Sequence, residues 1–393
     1  MSTAATIGLE AAKLIEAARH LGPTIVGMRD EIDRERQLPA SLFERLRDLG
    51  FFSLLLPRRF GGLELSLADY IKVVEAVSRL DGSVGWCVTI GGGAPPWLSG
   101  FLPEAVGRRI FVEDRSLVAG NLGPIGRAVS VPGGYRVTGH WPFGSGIMHS
   151  VWIASGCMVM DGDAPRRKPD GTPETRILFV PTTAVEIIDT WHVGGLRGTG
   201  SHDYRMTDLF VPESHAAALG QDPVVSGPLY ALPPPTVLGT TIAAVPLGIA
   251  RAALDTVKEM SAGKTPRIGA ALLRDRTVVQ AAVGRAEAQL RAARAFLFEA
   301  CEEAWSAASN GAPATLEQRA AVRLALAQAG EAAKAVVQIA YDIGGGSSVY
   351  DSCPLQRCFR DVHTASQHVQ IQSAGFETAG RVLLGLEPGT PVL

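Results

Sequence analysis

Pro354-Leu-Gln-Arg-Cys-Phe-Arg-Asp-Val-His-Thr-Ala-Ser-Gln-His368 follows a glycine run, Gly344-Gly345-Gly346, that ends a long helical pattern. The proline opens a new helix, because its fixed φ and missing N–H suit a first helical turn. At helical spacing, Arg360, Thr364 and His368 fall one turn apart on one face. A plain core helix does not need a cation, a hydroxyl and an imidazole together. The plainer account is an intrahelical ion pair between Arg357 and Asp361, four residues apart, with the histidines as satisfied polar groups. Spacing alone favours that account.

Outward from this stretch, the order of parts becomes readable. Thr315 with Gln318 has capping-box form and opens a helix over Leu316–Ile343, about seven turns at 3.6 residues per turn. Val279, Val283, Ala286, Leu290, Ala293 and Leu297 alternate steps of four and three, the spacing of a bundle seam. Helices this long, alanine-rich and two-sided pack on several neighbours, so a bundle that also oligomerises is expected over 223–393. In 113–222 the period changes to short β-rich runs at Ser116–Ala119, Ala128–Val131, Tyr135–Thr138, Val151–Met160, Ile177–Val180, Val185–Trp191 and Met206–Val211. These predict a small β-barrel or sandwich, with the polar loop Asp161–Arg176 as a mobile hairpin tip. Residues 1–112 read as helices: Leu9–Ala18, Ile25–Glu35, Pro39–Gly50, Leu67–Leu80 capped by Ser66, and a buried helix from Val84 to about Ile90 capped by Ser83. The fold class is α+β and multidomain.

Composition excludes several functions. The chain has 393 residues, 46% of them hydrophobic, and a net charge of -2. That gives a large core but no basic footprint for nucleic acid and no polybasic membrane patch. The 5 cysteines are scattered without a CxxC, so neither a disulfide frame nor a zinc site is expected. Met1–Thr6 lacks the basic start of a signal peptide, and the apolar run near Thr236–Ala250 is too short to span a bilayer. The expectation is a cytoplasmic protein.

Familiar catalytic motifs are missing. There is no Walker loop, no GxGxxG after a strand, no HExxH and no GxSxG. His363 and His368 are five apart, poor spacing for one metal on a helix, and no metal site is expected. Two clusters remain in the β region: Gly139-His-Trp-Pro-Phe-Gly-Ser-Gly146 and Trp191-His-Val-Gly-Gly-Leu-Arg-Gly-Thr-Gly-Ser201. Small residues let backbone N–H groups approach a flat ligand, Ser145 and Thr199 can bond its edge, and Trp141 or Phe143 can cover a ring face. Two glycine-rich turns with core aromatics would give the same pattern, and residues alone favour that.

The order of helices, β domain and helices resembles the acyl-CoA dehydrogenase superfamily of flavoproteins over nearly the whole chain. Leu49–Gly62, the Gly-x-Trp-x-Phe-x-Ser-Gly stretch, Gly198–Asp203 with Asp208–Pro212, and Gln356–Asp361 all look like its segments. The resemblance implies a C-terminal four-helix bundle, a flavin held between the β domain and the bundle, and a homotetramer in which a neighbouring subunit completes the site. Arg267 and Arg276 are then candidates for flavin phosphates of a neighbour. An acyl-CoA dehydrogenase needs a carboxylate to remove the substrate's α-proton. The two family positions for it match Ser352 and Leu238, which cannot do so; Asp351 is adjacent but turned about 100 degrees away on a helix.

The variant pattern looks instead like the two-component flavin-dependent monooxygenases on this fold. Ser145-Gly146 with His149, and Arg360-Asp361-Val362-His363 with His368, match their motifs. That resemblance implies hydroxylation of an aromatic or amine-type small molecule by O2 through a flavin C4a-hydroperoxide. The reductant would be reduced FMN or FADH2, not distinguished by the sequence, from a separate flavin reductase. Catalysis would fall to His368, Ser145 and His149. Ser145 is the expected donor on the flavin N5 side, and His368 deprotonates a phenol or stabilises the intermediate. The flavin would be held by Trp141, Phe143, Gly144, Ser145, Gly146, Thr199, Ser201, Gly344, Gly345, Gly346 and His368. Arg360 is expected to anchor the last helix by a salt bridge. The alternatives are an acyl-CoA dehydrogenase whose base is unlocated, and a non-catalytic flavin-binding subunit.

Overall fold

The first N-terminal helix is longer than expected and takes in the start of the second, Ile25–Glu35, which begins at Arg29. In the computed structural model, which describes residues 3–115, 117–266, 271–390 and 393, with 3–7 by backbone alone, α1 runs unbroken over Thr3–Gly27. Pro23 lies inside it. Leu14, Ala18, Leu21 and Ile25 are buried at helical spacing across the proline, and this shared apolar stripe carries the helix through. α2 (Arg29–Glu35) and α3 (Ala40–Asp48) follow, and α4 (Leu67–Ser78) is capped by Ser66, whose Oγ accepts the Asp69 N–H at 3.2 Å. α5 (Gly82–Gly92) is almost wholly buried. Its cap is Asp81, not Ser83: Asp81 Oδ1 accepts the N–H groups of Ser83 and Val84 at 2.9 and 3.1 Å. A carboxylate outcompetes a hydroxyl here because an anion also favours the positive end of the helix. Ser83 instead accepts a bond from the Gly198 N–H. Short α6 (Ala94–Leu98) and α7 (Glu104–Arg108) close this part.

Among the described residues, all nine strands lie within 113–222: β1 (Leu117–Ala119), β2 (Gly126–Val131), β3 (Gly134–Gly144), β4 (Ser150–Asp161), β5 (Ala164–Pro165), β6 (Thr175–Pro181), β7 (Glu186–Ile188), β8 (His202–Pro212) and β9 (Ala216–Ala217). They form one mixed sheet in the order β7-β8-β3-β2-β4-β6-β9, with β2 and β1 parallel to β4. Ser116 lies outside the described residues. The loop 161–176 is a hairpin between β4 and β6, with β5 folded back on β4. β3 outruns the expected Tyr135–Thr138 because β8 pairs with it as far as Gly144. Trp141 on β3 is fully buried, stacked on Tyr204 at 5.4 Å, with its Nε1 donating to Gly156 O at 2.9 Å. Glycines 126 and 139 leave the room it fills; a Cβ on either would overlap the indole.

The C-terminal part holds α8 (Pro228–Ala231), α9 (Pro234–Gly263), α10 (Thr277–Ser309), α11 (Leu316–Gly344), α12 (Pro354–Ala365) and α13 (Ala374–Leu383). The capping box of Thr315 and Gln318 forms as expected. The α10 seam buries Val279, Ala286, Leu290, Ala293 and Leu297. α9 has the length and apolarity of a membrane span, but 83% of its most apolar window is buried inside the protein, which marks a core helix.

One carboxylate ties α12 to the N-terminal helices. Asp33 on α2 receives Arg357 at 2.7 Å and Arg360 at 2.7 Å, and all three side chains are largely buried. Arg360 is therefore an anchor, as expected. Arg357 is not paired with Asp361 as its spacing suggested; it also donates to Arg29 O. A local exposed pair adds only about 0.2–0.5 kcal/mol, so a shared buried carboxylate wins the arginine. Asp33→Ala leaves two buried guanidinium groups without their partner, so it should lower unfolding free energy by about 2–3 kcal/mol in urea titration. Asp30→Ala removes an exposed contact to the same Arg357 and should leave the midpoint unchanged.

Candidate active site

The chain leaves β3 through a tight turn. Phe143 sits at φ +66 and Gly146 at φ +73. A non-glycine residue in the left-handed region is strained, and such strain clusters at functional sites. The Gly146 N–H donates to Thr199 O at 2.7 Å, which ties this turn to the loop before β8. Between them the hydroxyls line up. Ser145 Oγ is 2.7 Å from Ser201 Oγ, which is 2.7 Å from Thr199 Oγ1. Thr199 Oγ1 donates to Leu196 O at 2.9 Å. At the other end, Trp86 Nε1 on α5 donates to Ser145 Oγ at 3.0 Å. All four side chains are buried.

The Trp86 ring meets His368 edge-on, 5.8 Å between centroids. The structure thus brings Ser145, Thr199, Ser201 and His368 together around an indole from another domain. Trp86 was not among the expected site residues. Its only sequence signal is a ring carrying a hydrogen-bond donor inside an otherwise apolar buried helix, where such a donor needs a partner.

His368 does not continue the α12 face. The helix ends at Ala365, and His368 caps the next short turn, its Nδ1 accepting the Gln370 N–H at 3.3 Å. With Nδ1 as acceptor, the neutral ring carries its proton on Nε2. Burial pushes its pKa down to about 4, so the ring is neutral at pH 7. In this arrangement His368 offers a donor, which suits stabilising an oxygen and not deprotonating a phenol.

Other expected residues take different places. His149 stacks on Phe43 of α3, 4.5 Å between centroids, with its Nε2 buried and unpartnered. Burial lowers its pKa too. Among the described residues no hydrogen bond joins it to the Ser145 cluster. Trp141 offers no free ring face, since it is closed inside the sheet. Phe143 is 60% exposed, with its ring perpendicular to that of Trp191. Gly344, Gly345 and Gly346 form the end of α11, where Lys264 Nζ donates to Gly344 O; among the described residues no hydrogen bond links this turn to Ser145. Arg276 is exposed, and Arg267 lies outside the described residues. Leu238 on α9 is half-buried and packed against the core, and Ser352 and Asp351 are exposed.

Comparison with known proteins agrees with this architecture. Residues 11–100 match the acyl-CoA dehydrogenase N-terminal domain and residues 240–373 the acyl-CoA dehydrogenase C-terminal domain. Indole-3-acetate monooxygenase of Pseudomonas putida is 32% identical over 92% of each chain. The oxygenase subunit HsaA, a flavin-dependent monooxygenase of Mycobacterium tuberculosis, is 28% identical over 97% of each chain. The solved structure of XiaF from Streptomyces in complex with FADH2 and glycerol superposes with a TM-score of 0.90 at 27% identity, covering 99% of each chain. The fold is that of the acyl-CoA dehydrogenases. The chain belongs to that superfamily and, within it, to the flavin-dependent monooxygenases; it is an oxidoreductase.

The residues fit a flavin: an exposed aromatic ring at Phe143, a serine hydroxyl at the end of an ordered chain, and a neutral histidine against the indole that donates to that serine. His368 also sets a stability signature. Its folded pKa lies below its unfolded value, so the unfolded chain holds more protons between about pH 4 and 6.5. Stability contributed by the neutral ring is complete above 6.5 and falls by about 1.4 kcal/mol per pH unit below it, until about pH 4. His368→Asn keeps an acceptor for the Gln370 N–H but does not titrate. Denaturation midpoints measured across this window should fall less steeply with acid in the variant than in the parent.

Proposed function

We propose that this chain is the oxygenase component of a two-component monooxygenase. It takes reduced FMN or FADH2 from a separate reductase and uses O2 to hydroxylate an aromatic small molecule. The bound reduced flavin supplies the electrons for oxygen activation. The observation that carries this reading is the neutral, hydrogen-bonding set Ser145, Trp86 and His368, together with leucine and serine where a dehydrogenase would hold its carboxylate. Ser145 addresses the N5 edge of the flavin, and Phe143 covers part of a ring face. His368, with its proton on Nε2, donates to an oxygen near the flavin. The relatives named for indole-3-acetate and for an oxygenase subunit support the substrate class and the borrowed reductant. A homotetramer fits exposed Leu383, Leu384 and Leu386 near the C-terminal end, and a cytoplasmic setting fits five unpaired cysteines.

The test is rapid mixing of the protein and anaerobically reduced flavin with oxygenated buffer. A protected, transient absorbance distinct from free-flavin oxidation is expected. His368→Ala should retain reduced-flavin binding while product per flavin oxidised falls about tenfold and hydrogen peroxide rises to match. Unchanged product yield would remove His368 from the chemistry.

A further inference from the structure

The hydroxyl chain at Ser145 has only one self-consistent proton arrangement. Trp86 Nε1 is a donor only, and Leu196 O is an acceptor only. Between them lie three hydroxyls and four short contacts: Trp86 to Ser145, Ser145 to Ser201, Ser201 to Thr199, and Thr199 to Leu196 O. Each hydroxyl has one proton. The Thr199 proton goes to Leu196 O, so Ser201 must donate to Thr199, and Ser145 must donate to Ser201. Any other arrangement leaves two oxygens 2.7–2.9 Å apart with no proton between them.

Ser145 Oγ therefore takes one bond from Trp86, gives its proton to Ser201, and keeps a single lone pair. It can accept one more hydrogen bond and donate none. Leu196 is held on both sides: its N–H donates to buried Asp361 Oδ1 at 2.7 Å, and Trp191 Nε1 and the Thr199 N–H donate to its carbonyl. Leu196 itself sits at φ +52, so the peptide is fixed in an orientation that few other neighbours would sustain.

Resting on the placement of Ser145 at the flavin N5 edge, we infer that Thr199 and Ser201 are positioning residues that make this site selective for the redox state of the flavin. Reduced flavin carries a hydrogen on N5 and donates; oxidised flavin has a bare N5 lone pair and accepts. An acceptor-only Ser145 pairs with the first and opposes the second. This reverses the expectation of Ser145 as a donor. It also gives a shuttled cofactor a direction, since the chain binds the form that arrives and releases the form that is left.

The experiment is anaerobic equilibrium binding of oxidised and dithionite-reduced FMN and FAD, followed by fluorescence and absorbance, on the full-length protein and four variants. The parent should bind the reduced form more tightly. Ser201→Ala and Thr199→Val each free the Ser145 proton, so the ratio of oxidised to reduced Kd should fall about tenfold, the scale of a single hydrogen bond changed from attraction to repulsion. The potential of the bound flavin should fall by about 30 mV with it. Thr199→Ser keeps the chain and should keep the parent ratio. If Ser145→Ala alters the ratio while Ser201→Ala and Thr199→Val do not, the fixed polarity is wrong and the N5 placement stands. If Ser145→Ala leaves both affinities unchanged, the N5 placement itself fails.

Discussion

Two buried carboxylates, Asp81 and Asp361, hold the site from behind. Burial disfavours charge on both; the Asp81 carboxylate further raises the pKa of Asp361, and Asp33 raises that of Asp81. They persist because donors surround them. Asp81 caps α5 and lies near Arg29; Asp361 accepts the Leu196 N–H, with Arg357 and Arg360 close by on its own helix. Each carboxylate aims one half of the site. Asp81 fixes the start of the helix that carries Trp86, and Asp361 holds the N–H of Leu196, the residue whose carbonyl terminates the Ser145 hydroxyl chain. Buried carboxylates with such partners add little net stability over an apolar core; their bonds here instead fix α5 at its start and the loop before β8 against α12.

Much of this was readable from the sequence. The order of parts, the Ser66 cap and the Thr315–Gln318 box rest on local chemistry, and local chemistry survives folding. The nomination of Ser145 and His368 rested on family resemblance and not on spacing; the structure sets each of them against Trp86. The failures share a cause. Arg357 had a nearby partner in Asp361, yet Asp33, more than three hundred residues away, took it. Ser83 had cap chemistry, yet Asp81 had more. In each case a partner brought by the tertiary fold, or a charge, outranked the neighbour that sequence offered.

Trp141 and Phe143 show a second limit. They are two residues apart on one strand, and alternation puts both on the same face. The pairing of β3 with β8 slips between Trp141 and Gly144, and Phe143 turns into the left-handed region. One ring is sealed in the sheet; the other projects to the surface. No periodicity in Gly-His-Trp-Pro-Phe-Gly distinguishes them, because the slip is set by the partner strand.

The site itself holds no charged side chain among the residues that touch one another: an indole, two serines, a threonine and a neutral imidazole. The carboxylates that a dehydrogenase would expose to its substrate are absent from both family positions, and those present are turned inward to bind backbone. This division has a chemical logic. An anion beside the flavin would be a base for carbon acids, and it would disfavour further negative charge on reduced oxygen. Fixed dipoles of known polarity avoid both effects, and Trp86 and His368 can hold that polarity only because each has a committed partner: Ser145 for the indole N–H, the Gln370 N–H for the imidazole Nδ1. Under the proposed assignment of this site, the superfamily scaffold serves oxygen chemistry by turning charge away from the flavin and presenting directed hydrogen bonds to it.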